Sequence, residues 1–265
     1  MTLTADQVTA YLARIGAGRP ARPDAEALRE LHLRHLRAVP FENLSIHLGE
    51  PIVLEPDALF DKVVERARGG FCYELNGLFA ELLEALGYRV TRLAGRSHGE
   101  NGFGPLFDHL ALRVADADGV EWLADVAYGR HTDLPLRFDL GVDQLDPTGG
   151  YRLDAEPGPD GADVVVSREG EPQYLLELRP RTLADFEVCC WWQQTSPTSH
   201  FTRNVLCTRR TETGRVTVSG RTLIESEDSG GRTERELTVD ELPKAYARLF
   251  GFALDRVPDR PRSAD

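Results

Sequence analysis

Long apolar runs are missing from this 265-residue chain: nothing in it approaches the ~20 consecutive apolar residues that a membrane-spanning helix requires. The N-terminal stretch also lacks the basic and apolar regions of a signal peptide, so a cytoplasmic protein without a membrane partner is expected. Basic residues are in deficit, 31 Lys and Arg against 43 Asp and Glu, giving a formal net charge of -12. A nucleic-acid partner is thereby excluded, because binding to a phosphate backbone rests on a surplus of cations over a surface. Cysteine is scarce. The four present, Cys72, Cys189, Cys190 and Cys207, form no CxxC pair and show no regular spacing, which excludes a disulfide framework and leaves reduced thiols. His32 and His35 share a helix face, but no cysteine or carboxylate cluster at ligand spacing accompanies them, and no metal is expected. With 41% hydrophobic and 28% charged residues the chain reads as a globular protein, long enough for two or three subdomains.

The chemistry starts in Arg68-Gly69-Gly70-Phe71-Cys72-Tyr73-Glu74-Leu75-Asn76. A glycine pair ends one helical pattern at Ala67. Another begins at about Tyr73 and carries Leu75, Leu78, Phe79, Leu82 and Leu86 on one stripe, closed by Gly87. Cys72 thus falls in the first turn of a helix, where free backbone N–H groups and the helix dipole favour an anion, so its thiol pKa is expected to fall. The alternative is a small buried cysteine that happens to follow a helix end. Cys189 and Cys190 lie inside an apolar helical stretch and read as packing residues.

Taken in order, Thr4 and Gln7 form a capping box before Val8, Tyr11, Leu12 and Ile15, and Gly16 closes that helix. Asp24 caps a second helix that must stop before Pro40, and a third follows Pro56 with Leu59, Phe60, Val63, Val64 and Ala67. After Gly87 the period changes to two. Strands are expected at 88–96, 108–115, 120–128, 151–153, 164–167 and 174–178. A helix over 183–194, short strands at 205–208, 215–219 and 221–224, and a last helix from about Asp240 to Gly251 complete the pattern, with a charged, disordered tail from Pro258. The expected architecture is α+β: a helical bundle over 1–87, a β-barrel over 88–182 and an α/β unit over 183–265.

The hairpin at 108–128 is legible in detail. Leu110, Leu112 and Val114 share one face of its first strand, and Val120, Trp122, Ala124 and Val126 one face of its second. These even-numbered sets pack together only when opposed residues sum to an even number, which demands a loop of odd length. Ala117-Asp118-Gly119 supplies it, pairs Asp116 with Val120 and sets Ala111 opposite Asp125. His109 is then diagonal to Asp125 on the other, polar face. A thiol at a helix start, an imidazole and a carboxylate make a nucleophile, a base and an orienting group: Cys72, His109 and Asp125.

These residues resemble the arylamine N-acetyltransferases. Arg68 to Asn76 is similar to that family's active-site cysteine motif, Val39-Pro40-Phe41-Glu42-Asn43-Leu44 to its upstream motif, and Asp108-His109-Leu110 and Trp122-Leu123-Ala124-Asp125-Val126 to the segments holding its catalytic His and Asp. Gln194 to Phe201 is similar to a segment of bacterial members, and the likeness runs over roughly residues 5 to 255, in the family's order. The resemblance implies a helical bundle, a β-barrel and an α/β lid with a cysteine-protease-like, transglutaminase-like core. It implies ping-pong transfer of an acetyl group from acetyl-CoA, through a thioester on Cys72, to an arylamine, arylhydrazine or N-hydroxyarylamine. Phe41, with Phe71 and Tyr128, is expected at the acceptor pocket, and Gly129, Thr195 and Ser196 at the CoA cleft. In an acidic chain the CoA phosphates need a local basic patch, for which Arg203, Arg209 and Arg210 are nearest in sequence. One departure stands out: Ala127-Tyr128-Gly129 follows Asp125-Val126 where the family usually has Gly-Phe-Gly. The alternatives are a related amide synthase that closes a polyketide acyl chain onto an arylamine, a cysteine protease or transglutaminase sharing the triad, and a non-catalytic binding module.

Overall fold

A computed structural model describes residues 3–129, 132–158 and 161–258; the tail expected to be disordered lies, from residue 259 on, outside the described residues. Helix α1 (Ala5–Arg14) begins as its capping box dictates: the Thr4 hydroxyl accepts from the Gln7 N–H, and the Gln7 side-chain Oε1 accepts from the Thr4 N–H at 2.9 Å. Helix α2 (Ala25–Ala38) is capped by Asp24 and stops two residues before Pro40, as a proline restricting its predecessor requires. Strand β1 (Phe41–Glu42) and the short helix α3 (Leu44–Leu48) follow, and neither has a repeat long enough to be read as a pattern.

The third expected helix is broken. It consists of α4 (Pro56–Phe60) and one π-helical turn, Asp61–Glu65, after which Ala67 sits at φ 53°. The glycine pair is therefore not a helix cap. Its reason is close approach: a Cβ on Gly69 would lie 1.9 Å from the Pro40 carbonyl oxygen, and one on Gly70 2.6 Å from a Glu74 carboxylate oxygen. This clearance lets β1 run beside Gly70, whose carbonyl accepts from the Glu42 N–H at 2.9 Å.

Helix α5 (Cys72–Ala85) is buried almost all round, with Tyr73, Leu75, Leu78, Phe79 and Leu82 fully inaccessible. Around it pack α1, α2, α4 and one face of the large sheet. That sheet contains β2 (Arg89–Gly99), β3 (Gly102–Phe103), β4 (His109–Ala115), β5 (Glu121–Ala124), β6 (Leu136–Arg137), β7 (Asp143–Asp146), β8 (Gly149–Gly158), β9 (Gly161–Arg168) and β10 (Glu171–Arg181). The strand order is β6-β5-β4-β2-β10-β9-β8-β7, with β3 on β2, so the two edges are neighbours in sequence. The Gln144 side chain bridges them, accepting from the Arg137 N–H at 2.7 Å and donating to its carbonyl at 2.9 Å. The result is a nearly closed antiparallel barrel.

Its β4–β5 hairpin has the expected register. Leu112 opposes Ala124 and Val114 opposes Trp122, the Asp116 N–H donates to Val120, and Gly119 takes φ 79°. The face carrying Leu110, Leu112, Val114, Trp122 and Ala124 covers the helices. The opposite face, expected to be polar, instead lines the barrel interior with Leu93, Ala111, Leu123, Leu153 and Tyr174. Both faces are buried, so His109 and Asp125 are enclosed rather than solvated.

A 3-10 turn, Leu183–Phe186, leads into α6 (Glu187–Thr195) and α7 (His200–Arg203). Strands β11 (Leu206–Arg210), β12 (Gly214–Ser219), β13 (Thr222–Glu227) and β14 (Arg232–Glu236) make a second sheet, covered by α8 (Leu242–Phe250), which Gly251 closes at φ 83°. Strand β1 pairs with β11, Phe41 opposite Thr208, so the segment before the nucleophile is stitched into the C-terminal sheet.

Helix α2 brings both its imidazoles indoors. His35 receives the Tyr11 hydroxyl on Nδ1 at 3.0 Å, and burial, with His32 and Arg14 adding to it, pushes its pKa down to about 3. Folded His35 stays neutral while the unfolded chain takes up a proton below about pH 6.5. Stability is therefore present in full above that pH and lost as pH falls toward 3, at ~1.4 kcal/mol per unit. Urea unfolding between pH 7.5 and 5 is expected to show this loss, about 2 kcal/mol from this one group. A variant His35→Gln should have the flatter profile, and equal slopes for both proteins would remove His35 from the account.

Candidate active site

Two short segments fix where α5 begins. Arg68 and Glu42, both buried, pair at 2.9 Å, and Glu42 also accepts from the Leu44 N–H. Burial alone would raise the Glu42 carboxyl, but Arg68 and Lys62 hold it below its usual range. Lys62 pairs with Glu74 at 2.7 Å, and the second Glu74 oxygen accepts from the Phe71 N–H at 3.1 Å. The Phe71 N–H is thus consumed by a side chain. The next one, of Cys72, has no hydrogen-bond acceptor among the described residues.

Cys72 is 3% exposed, and its Sγ lies 3.9 Å from the carbonyl oxygen of Asp108, the residue before His109. The expected fall in its pKa is corrected here. Burial pushes the thiol well above its ordinary value, the Leu110 N–H offsets this only in part, and Asp108 and Asp125 add to the rise. In this enclosure the penalty for an isolated anion outweighs the helix start. Cys189, Cys190 and Cys207 are raised by burial too.

His109 donates from Nε2 to Asp125 Oδ2 at 2.7 Å, with both residues buried. Its ring packs against those of Tyr128 and Tyr174, at centroid distances of 5.0 and 5.1 Å, and the two tyrosine rings lie 4.7 Å from each other. Gly95 leaves room for it, since a Cβ there would lie 3.1 Å from the His109 Cβ. Asp125 is held more fully than the sequence suggested. Its Oδ1 accepts from Asn76 Nδ2 at 2.8 Å and from the Ala127 N–H at 3.0 Å, the Tyr174 hydroxyl reaches its carboxylate, and its own N–H points at His32 Nε2 at 3.3 Å. The Asn76 amide also donates to Leu110 O at 2.6 Å and accepts from the Val126 N–H at 3.0 Å, so it ties helix, β4 and the loop after β5 together. Asn76 was missed as a site residue, although its spacing of four from Cys72 puts both on one face of α5.

Of the aromatic residues expected at the acceptor, Phe41 and Phe71 meet through Phe201, whereas Tyr128 packs on His109 and Tyr174. Phe201 on α7 lies 6.1 Å from Phe41 and 5.4 Å from Phe71, a contact that sequence spacing does not reveal. Phe71 is fully buried, Phe41 partly so. The family departure at 127–128 is built in: the Ala127 N–H serves Asp125, and the half-buried Tyr128 donates its added hydroxyl to Gln173 O on β10. Gly129 is exposed at φ 53°, Thr195 and Ser196 end α6, and Arg203 is exposed at the end of α7. The expected three-arginine patch does not exist. Arg209 donates to the carbonyls of Arg37 and Leu249, and Arg210 is buried in ion pairs with Asp133 and Asp228. Among the described residues no helix is long and apolar enough to cross a membrane, and no group of His, Cys, Asp and Glu suited to a metal occurs.

A buried thiol at a helix start, facing a barrel strand that carries a His–Asp pair, is an arrangement that cysteine-dependent acyl transfer uses. The family model for N-acetyltransferase matches residues 24–258. An arylamine N-acetyltransferase of Mycolicibacterium smegmatis is 36% identical over 258 residues, 94% of this chain and 93% of that protein. The arylamine N-acetyltransferase / N-hydroxyarylamine O-acetyltransferase of Salmonella typhimurium is 32% identical, covering 94% of this chain and 89% of its own. Among solved structures, the Mycobacterium marinum arylamine N-acetyltransferase in complex with CoA superposes with a TM-score of 0.81 at 33% identity, over 92% of each chain. The chain belongs to the arylamine N-acetyltransferase family and is an acetyltransferase.

Proposed function

We propose that this enzyme moves the acetyl group of acetyl-CoA to an arylamine or arylhydrazine nitrogen, or to the oxygen of an N-hydroxyarylamine, through a thioester on Cys72. The observation that carries the reading is the buried 2.7 Å contact between His109 Nε2 and Asp125 Oδ2 beside the Cys72 helix start. Burial disfavours a lone thiolate, so Cys72 gives up its proton only as His109 accepts it on Nδ1, and Asp125 stabilises the imidazolium so formed. Sγ then bonds to the acetyl carbon, the bond to the CoA sulfur breaks, and His109 returns the proton to the leaving thiolate. In the second half the acceptor nitrogen or oxygen attacks the thioester, its proton passes to His109, and the Cys72 sulfur leaves and takes that proton back from His109, which restores the thiol. The unpartnered Cys72 N–H is the donor for the oxyanion in both halves.

The division of labour follows the chain: residues 1–87 carry the nucleophile, 88–182 the base and its carboxylate, and 183–265 the lid. Phe41, Phe71 and Tyr128 shape the acceptor side. Gly129, Thr195, Ser196 and Arg203 serve the CoA side, in a cytoplasmic enzyme. Initial rates with acetyl-CoA and an arylamine should give parallel double-reciprocal lines, because CoA departs before the acceptor binds. Intersecting lines would show that both substrates bind together and that the thioester is not on the path.

A further inference from the structure

His32 is one of the two α2 imidazoles that share a helix face, and it is fully buried, a T-shaped neighbour of Phe79 at 6.3 Å. Its two nitrogens meet two main-chain groups of opposite and invariable character. Nδ1 lies 3.0 Å from the carbonyl oxygen of Asp133, which only accepts, and Nε2 lies 3.3 Å from the N–H of Asp125, which only donates. Only one protonation state satisfies both: neutral, with the proton on Nδ1. An imidazolium would set two donors head to head at Asp125.

We infer that His32 is a positioning residue for acyl transfer, a permanently neutral imidazole whose Nε2 lone pair holds the main chain of Asp125, and with it the carboxylate that orients His109. This rests on the function proposed above. Asp125 lies just past the end of β5, beyond the last ladder pair, Leu112 with Ala124, so a side chain from α2 takes the place of a strand partner for its N–H. The far side of the imidazole is equally fixed. The carboxylate of Asp133 is gripped by Arg210 through contacts of 2.7 to 2.9 Å, and Arg210 in turn by Asp228. The titratable groups facing His32 are Asp125 and Asp146 from the barrel side and His35 from its own helix; desolvation outweighs the carboxylates and lowers its pKa, in keeping with the neutral form.

A displacement of about 1 Å in a catalytic group is enough to cost ~10²-fold in rate, and residues that orient a reacting group from behind cost roughly 10- to 100-fold when removed. His32→Phe keeps a ring against Phe79 and deletes both hydrogen bonds; His32→Gln keeps an acceptor and a donor. The first is expected to lose 10-fold or more in kcat, with the KM of acetyl-CoA and of the arylamine nearly unchanged. Alkylation of Cys72 by iodoacetamide near pH 7 should slow in parallel, and His32→Gln should recover most of both. A folded His32→Phe with wild-type kcat, or two variants equally impaired, overturns the proposal.

The wild-type protein gives an independent reading that needs no variant to fold. Nitrogen-15 shifts of the His32 ring should report protonated Nδ1 and bare Nε2 between pH 6 and 8, and a proton on Nε2 overturns the inference. Because alkylation and ring shifts need no acetyl donor, they fail separately from the proposed acetyl transfer.

Discussion

Asp125→Asn is expected to lower turnover by roughly 10²-fold or more while leaving the protein folded; in the serine-protease triad the corresponding exchange costs ~10⁴-fold. The reason lies in how the carboxylate is divided. Oδ1 accepts from both Asn76 Nδ2 and the Ala127 N–H, so an asparagine must leave its carbonyl oxygen there and turn its NH₂ toward His109 Nε2. His109 would then have to accept on Nε2 and carry its proton on Nδ1, the nitrogen that must be bare to take the thiol proton. Shape is conserved, so the effect should appear in kcat and in slower Cys72 alkylation, with unfolding little changed. A folded variant that is acylated at a near-native rate would reduce Asp125 to a structural residue.

Arg68→Met is expected to have the largest effect on stability. Arg68 is the buried cation of Glu42, touches Ser45 and Glu50 as well, and lies over the Phe252 ring. Removing it strands a fully buried carboxylate, a loss of about 3–5 kcal/mol from a total of roughly 5–15 kcal/mol for a domain. The melting temperature should fall by roughly 10 °C. Activity should suffer beyond that, because the pair clamps β1 beside Gly70 and so fixes where α5 starts. Adding Glu42→Gln removes the stranded charge and should recover part of the stability. Thermal unfolding of Arg68→Met at the wild-type temperature would show that the pair contributes nothing net.

Much of this was legible in the chain. Parity of two apolar sets and one odd loop placed His109 beside Asp125, because a one-residue slip would have turned every apolar residue of the hairpin over. Helix starts at Thr4 and Asp24 were legible because capping is local chemistry. Other elements had no signal to read. Strand β14, Arg-Thr-Glu-Arg-Glu, is an edge strand exposed at every position, so no face alternates. Strands β3 and β6 are two residues each. Position along the chain cannot reveal enclosure: it gave Cys72 a helix start but not the barrel interior behind it, which reversed the direction of its pKa. The same blindness cast Arg209 and Arg210 as an open patch, although one serves helix-end carbonyls and the other buried carboxylates. It also hid His32, whose partner is a main-chain N–H across the fold.

The central claim is that acetyl passes through Cys72, and the intact mass of the protein tests it most directly. Incubation with acetyl-CoA alone should add one acetyl group, peptide mapping should locate it on Cys72, and a following arylamine should discharge it as the acetylated amine. An adduct on Cys189, Cys190 or Cys207, an adduct that an arylamine leaves in place, or turnover without any adduct in Cys72→Ala would contradict the account.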